Sequence, residues 1–224
     1  MEKNSWSVED LRQKYAQKTQ DTELKSRLEE YVNSLAWKQW KSAYHVETAN
    51  NLWEGLFNSG IVDFGSGKCQ KVWFSSSAEI ESMIQVVHSM GDIFAQIANV
   101  IVLFPKPIDE DCVSLASLIN TIRQKNIAGD VLAELLKIKD SNEFQYFEGF
   151  CNVIKHRKLI DTDYRFQGIE DGKPQTNHGI RFKNFEYKGK KFDTTFSKTI
   201  EEDYRLKIYD LICDAGIKLN NFLV

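Results

Sequence analysis

The sequence predicts a mainly α-helical fold, a bundle of long helices with a small antiparallel β-hairpin or meander inserted before the C-terminal helix. Three observations carry this. Only 3 prolines occur in 224 residues, so little interrupts a helix. Apolar residues recur at 4-3-4 spacing through several long stretches, the period of a helix with one buried face. Alternation with period two is confined to residues 163–196, where turn-forming pairs punctuate it.

The elements follow in order. Ser7, with Asp10 three residues on, has the spacing of a capping box and starts a short helix to about Gln17. A longer helical stretch begins at Asp21 or Thr22. Its stripe Leu24, Leu28, Tyr31, Leu35 packs into a bundle, and Trp37, Trp40, Tyr44, Leu52, Trp53, Leu56 and Phe57 carry it to Asn58 as one kinked helix or two. Gly60, Gly65 and Gly67 mark a loop, Lys71–Phe74 reads as a short strand, and Ser75–Ser77 offers an N-cap to the next helix.

That next helix holds the strictest repeat of the chain: Met83, Val87, Met90, Phe94, Ile97 and Ile101, ending at the Pro105–Pro107 stop. Another helix covers about Asp109–Gln124, and Asp130 caps a short one over Val131–Lys137. Ser141–Leu159 is helical, with Phe144, Phe147, Cys151 and Ile154 as its apolar stripe. Tyr164–Phe166 and Ile180–Phe182 alternate, and Asp171-Gly172 and Lys188-Gly189-Lys190 are turns. Asp163–Phe196 therefore reads as a meander of two or three strands. A final helix runs over about Thr199–Phe222. No internal repeat is evident, and residues 1–224 read as a single domain with 163–196 inserted in it.

Composition narrows the function classes. The hydrophobic and charged fractions, 42% and 27%, are those of an ordinary globular protein. A net charge of −3 argues against a dedicated polyanion binder, although local basic clusters can still act. Cys69, Cys112, Cys151 and Cys213 are widely spaced, with no CxxC pair, and read as reduced packing residues rather than a disulfide frame or zinc site. No cofactor or metal site is indicated. The first residues lack the apolar core of a signal peptide, and no apolar run suffices for a membrane helix. The expectation is a cytoplasmic protein.

The candidate chemistry lies in Asn152-Val153-Ile154-Lys155-His156-Arg157. Four-residue spacing puts Asn152 and His156 on one helix face, with Glu148 a turn before. Lys155, Arg157 and Lys158 add cationic charge beside the imidazole. On the Met83 helix a second polar stripe carries Glu81, His88, Asp92 and Asn99, and His88 and Asp92 are placed to hydrogen-bond. If the stripes meet, Asn152, His156, Lys155, His88 and Asp92 surround one groove. An imidazole, a proton donor and a cation suit metal-free cleavage of a phosphodiester.

Simpler roles stand beside these. His88–Asp92 also fits a surface i,i+4 pair, and Asn152–His156 a buried polar pair or a solvated face. His45 and His178 are isolated and read as structural or exposed. The five tryptophans read as core rather than a stacking platform. Arg181, Lys183, Lys188, Lys190 and Lys191 alternate with Phe182, Phe185 and Tyr187. That pattern suits a nucleic-acid backbone with stacked bases, and equally a hairpin with one buried face.

The Asn152-x-x-Lys155-His156 helix, together with the His88–Asp92 helix before it, resembles the HEPN-like group of helical bacterial proteins over roughly residues 75–160. The resemblance implies a bundle around four core helices, often dimeric, and in many members a metal-independent ribonuclease of toxin–antitoxin or other defence systems. Other members are non-catalytic. The family's motif sets an Arg four to six residues before a His, often with a polar residue next to the Arg. Asn152 and His156 match the polar residue and the His. Cys151 stands at the Arg position, and Gly149 and Phe150 supply no substitute.

Three functions are therefore expected alternatives. The first is a ribonuclease or toxin using Asn152, His156, Lys155, His88 and Asp92, with Arg157, Lys158, Arg181 and Lys183 holding RNA. The second is a non-catalytic HEPN-like module binding a partner protein or nucleotide. The third is a self-associating bundle built on the Met83–Ile101 seam. The partners implied are a second copy of the chain, RNA, and an antitoxin or other protein.

Overall fold

The computed structural model describes residues 6–60, 63, 65–165, 169–170, 173–174 and 179–223. The fold is mainly α with a small antiparallel β element before the C-terminal helix. Helix α1 spans Val8–Lys18, and the Ser7 hydroxyl accepts from the Asp10 amide at 3.1 Å. Helix α2 is one unbroken helix, Thr22–Phe57, and the Asp21 carboxylate accepts from the amides of Glu23 and Leu24 at its start.

Helix α3 spans Gly67–Val102, so Lys71–Phe74 is helix and not strand, and Ser75–Ser77 cap nothing. The serines turn inward along their own helix or to its neighbour. Ser77 donates to the Trp73 carbonyl at 2.9 Å, and Ser76 to the Ala49 carbonyl at 3.3 Å. Backbone hydroxyl bonds of this kind satisfy serine inside a helix without a cap.

A 3-10 turn, Glu110–Cys112, and helix α4, Leu115–Lys125, replace the single helix expected over 109–124. Asp109 caps the turn, and Ser114 and Ser117 form a reciprocal capping box for α4. Helix α5, Gly129–Asp140, starts from Ala128 in left-handed conformation with no side-chain cap. Asp130 is thus a first-turn residue, stabilising through the helix dipole rather than by capping. Helix α6 is Asn142–His156, four residues shorter than expected. The amides of Arg157 and Lys158 both return to the Val153 carbonyl and close it.

The β element comprises β1 Thr162–Arg165, β2 Ile169–Glu170, β3 Lys173–Pro174, β4 Gly179–Phe182, β5 Phe185–Tyr187, β6 Lys190–Phe192 and β7 Thr195–Phe196. It is more divided than a two- or three-strand meander. Strands β1, β4 and β7 form an antiparallel sheet in that order, while β2–β3 and β5–β6 are separate hairpins. Lys188 and Gly189 both take positive φ, 49° and 78°, the geometry that joins strands through two residues. Asp171-Gly172 and His178 lie outside the described residues. One helical turn, α7 Ser197–Thr199, passes through a π-helical stretch Ile200–Tyr204 into α8, Arg205–Phe222.

The chain divides into two compact units. The first takes the chain through Gln39, His88–Gln145 and the chain from Lys207. Its core includes Phe94, Ile97, Ile101, Leu118 and Leu135, all at most 1% exposed. Trp6 closes on it edge to face with Phe94, at 5.7 Å between ring centroids. The second takes Trp40–Val87 and Tyr146–Leu206. Its centre is aromatic: Tyr146 meets Phe185, Phe192 and Tyr204 at 5.2–5.7 Å. Gly149 permits this, since a Cβ there would lie 2.9 Å from the Phe192 ring.

The Met83–Ile101 seam is consumed inside the chain. Its six residues are between 0% and 3% exposed, so it offers no surface for self-assembly. Trp37 and Trp40, expected in the core, are 61% and 69% exposed. The reason lies in the heptad of α2: Leu28, Leu35, Ser42, Ala49 and Leu56 are its buried line. Past Leu35 the buried face is carried by small residues, which leaves the neighbouring aromatics outside.

Candidate functional site

The five catalytic candidates, which would share a groove if their two stripes met, fall in both compact units. His88 and Asp92 belong to the first unit, Asn152, Lys155 and His156 to the second. In the first unit, the Asp92 carboxylate accepts from the Leu115 amide at 2.9 Å and so caps the start of α4. The His88 ring lies against Phe144, 5.4 Å between centroids and nearly parallel. Asn99, further along the same polar stripe, is fully buried and clasps Ile108, donating to its carbonyl and accepting from its amide at 2.9 Å each. Both acceptors on this stripe serve backbone groups that would otherwise be unpaired.

In the second unit, the Asn152 amide donates back to the Glu148 carbonyl at 2.8 Å. Glu148 itself receives Lys188 from the β5–β6 turn at 3.2 Å. Cys151, at the position the HEPN-like resemblance gives to Arg, is 1% exposed, and burial pushes its thiol up to about 12. It is a neutral core group. His156 and Lys155 are exposed in the last turn of α6, followed by exposed Arg157 and Lys158. Cations at a helix C-terminus are stabilised by the dipole whatever else they do. Arg157 also donates to the Glu186 carbonyl at 3.2 Å and lies over the Tyr187 ring.

The basic hairpin is folded in on itself. Arg181 grips Asp163 with two bonds of 2.8 Å, and Lys183 joins the same carboxylate. Arg181 first, then Lys183, holds the Asp163 carboxyl below the usual carboxylate range. Phe182 and Phe185 are buried, at 0% and 6%. This is the arrangement of a hairpin with one buried face.

Two features of the second unit were missed by sequence reasoning. The first surrounds Glu201, in the π-helical stretch, which lines a pocket of about 250 Å³ with Asn50, Trp53, Tyr164 and Ser197. Glu201 is 6% exposed. Burial raises its carboxyl, against which hydrogen bonds from Ser197 and Asn50 act. The run Glu201-Glu202-Asp203 reads in sequence as a solvated face, and nothing local marks the π turn. His45, half-buried, bonds Glu79 at 2.6 Å nearby on α2 and α3.

The second is a groove of about 700 Å³ between one face of α3 and the segment after α6. Gln70, Phe74, Ser77 and Glu81 recur at 4-3-4 spacing along α3, and Leu159, Ile160, Asp161 and Thr162 form the other wall. The Trp73 indole donates to the Thr162 hydroxyl at 3.1 Å and pins the two walls together. Phe74 and Leu159 are 75% and 73% exposed. The 4-3-4 spacing at 70–81 was a usable signal. Reading 71–74 as a strand hid it.

Among the described residues no group of three His, Cys, Asp or Glu is placed to hold a metal ion, and no helix is long and apolar enough to cross a membrane. Comparison with family models, with curated proteins and with solved structures found no match.

Proposed function

We propose that this chain is a HEPN-like module that works by holding a partner protein rather than by cleaving RNA. The observation that supports the reading best is the pairing of Phe74 and Leu159, two large apolar side chains left in water on the two walls of one groove. Each square ångström of apolar surface removed from water stabilises by about 25 cal/mol, so a partner covering both gains where solvent gives nothing. Exposed apolar patches framed by polar groups mark interaction sites. Cys151 and Asn152 add to this reading, because the first is a neutral core group and the second spends its amide on its own helix.

The ribonuclease reading draws on a specific observation as well: His156 and Lys155 stand exposed and adjacent, able to reach a phosphodiester. The test runs both. Purified protein and a His156→Ala variant are incubated with a mixed tRNA and mRNA pool in EDTA. In parallel, proteins retained by the parent but not by a Phe74→Asp, Leu159→Asp double variant are identified, purified and rebound. Partner binding that the double variant loses, with intact RNA throughout, is the expected result. RNA cleavage by the parent and not by His156→Ala would replace the binding reading with the catalytic one.

A further inference from the structure

The groove between α3 and the segment after α6 has a charge signature as well as an apolar one. Among the described residues its charged lining groups are Glu81 and Asp161, with no Lys or Arg. Glu81 is half-buried in the wall, one turn beyond Ser77 and two beyond Phe74 on the same face of α3. Among the described residues its carboxylate makes no ion pair or hydrogen bond, whereas Asp163, Glu148, Glu79 and Glu134 each have a cation or imidazole against them. A half-buried carboxylate without a counter-charge is costly in the empty state and is relieved by whatever brings one. Burial accordingly raises the Glu81 carboxyl, with no cation acting against the shift. The rings of Trp73 and Phe74 line the same groove, and aromatic faces attract an organic cation.

We infer that the groove takes an apolar peptide segment carrying one lysine or arginine, its aliphatic neighbours against Phe74 and Leu159 and its cation between Glu81 and the aromatic rings. This rests on the partner-binding reading above and names the chemistry of the partner. The alternative occupants are disfavoured by the same lining. An acidic or phosphorylated segment would meet Glu81 and Asp161 as like charges. A purely apolar segment would bury Glu81 with nothing to neutralise it.

The test uses the full chain and three acetylated leucine tetrapeptide amides that carry, at one position, lysine, norleucine or glutamate. Binding is followed by NMR at the Trp73 indole N–H, identified by its loss in Trp73→Phe. The lysine peptide is expected to bind at least tenfold tighter than the norleucine peptide, and the glutamate peptide weakest. Glu81→Gln is expected to erase the preference for lysine over norleucine, weakening the lysine peptide and strengthening the norleucine peptide, and Asp161→Asn to reduce the preference in part. Equal binding of the three peptides, or a lysine preference that survives Glu81→Gln with the fold intact by circular dichroism, would overturn the inference and leave the groove a plain apolar one. Absence of binding by all three would overturn the partner-binding reading itself.

Discussion

Replacing Cys151 by arginine tests whether the α6 resemblance extends to a catalytic site. In the HEPN-like motif that α6 resembles, the arginine is a working cation, and on the ribonuclease reading an arginine here completes a site. The structure argues otherwise. Cys151 is 1% exposed, between Phe150 at 0% and Val153 at 2%, and its thiol is held neutral by burial. A guanidinium there adds several heavy atoms to a filled core, which costs about 1–3 kcal/mol. It also places a charge with no partner, for which about 3–5 kcal/mol is the usual scale. Domains of this size are stable by about 5–15 kcal/mol, so Cys151→Arg is expected to lose most of its folded population. Cys151→Ala, which only trims volume, is expected to cost about 1–2 kcal/mol. Urea unfolding followed by circular dichroism, with the RNA-cleavage assay on the same samples, measures both. A Cys151→Arg protein as stable as the parent that cleaves RNA without metal would refute the reasoning. It would show that the arginine reaches solvent from α6 and that the position is a vacated catalytic one.

Three further outcomes follow from particular contacts. Because Arg181 and Lys183 hold the Asp163 carboxyl below its unfolded value, this ionised group stabilises the fold above about pH 4 and the contribution is lost as pH falls through and below that range. Asp163→Asn should therefore be less stable than the parent at pH 7 and equal to it near pH 2, read by urea midpoints across pH; a difference that persists in acid would remove the pair as its cause. The Tyr146 hydroxyl is buried near the Thr195 side chain without a well-formed hydrogen bond among the described residues, so Tyr146→Phe should leave stability unchanged or raise it by up to about 1 kcal/mol, where a loss of thermal midpoint would reveal a working bond to Thr195. Asn99→Leu, by contrast, orphans the amide and carbonyl of Ile108 and should cost about 2–4 kcal/mol, with faster amide exchange at Ile108 as its local sign.

What the sequence disclosed depended on whether the cause was local. The Met83–Ile101 helix was legible because a repeat of six large apolar residues can only be buried, and all six are. The Lys188-Gly189 turn was legible because few residues tolerate positive φ. The stretch 71–74 was misread because β-prone residues following glycines look like a strand until Trp73 is seen bonded across to Thr162, a contact 89 residues away in sequence. Trp37 and Trp40 were misplaced because bulk suggests burial, while the buried line of α2 passes through Ser42 and Ala49. The roles of Asp92 and Asn99 were invisible for the same reason as Trp73: their partners, Leu115 and Ile108, belong to other elements. The α6 motif could be found by spacing alone, but spacing does not tell that Cys151 is core and Asn152 is turned to its own backbone.

The interleaving of the two units in sequence fixes the order in which a ribosome can release them. Every segment of the second unit precedes residue 207, whereas the first unit begins with the chain's opening helix and is completed only by α8. The opening helices must therefore wait, with the Trp6 ring and the pocket it fills against Phe94 incomplete, until well over a hundred further residues have been made. During that interval the bonds that Trp6, Asp10 and Lys14 make to Asn220 cannot form. Truncation shortly before α8 would then leave the later-numbered unit closed and the earlier-numbered one open, an inversion of the usual N-to-C sequence of folding.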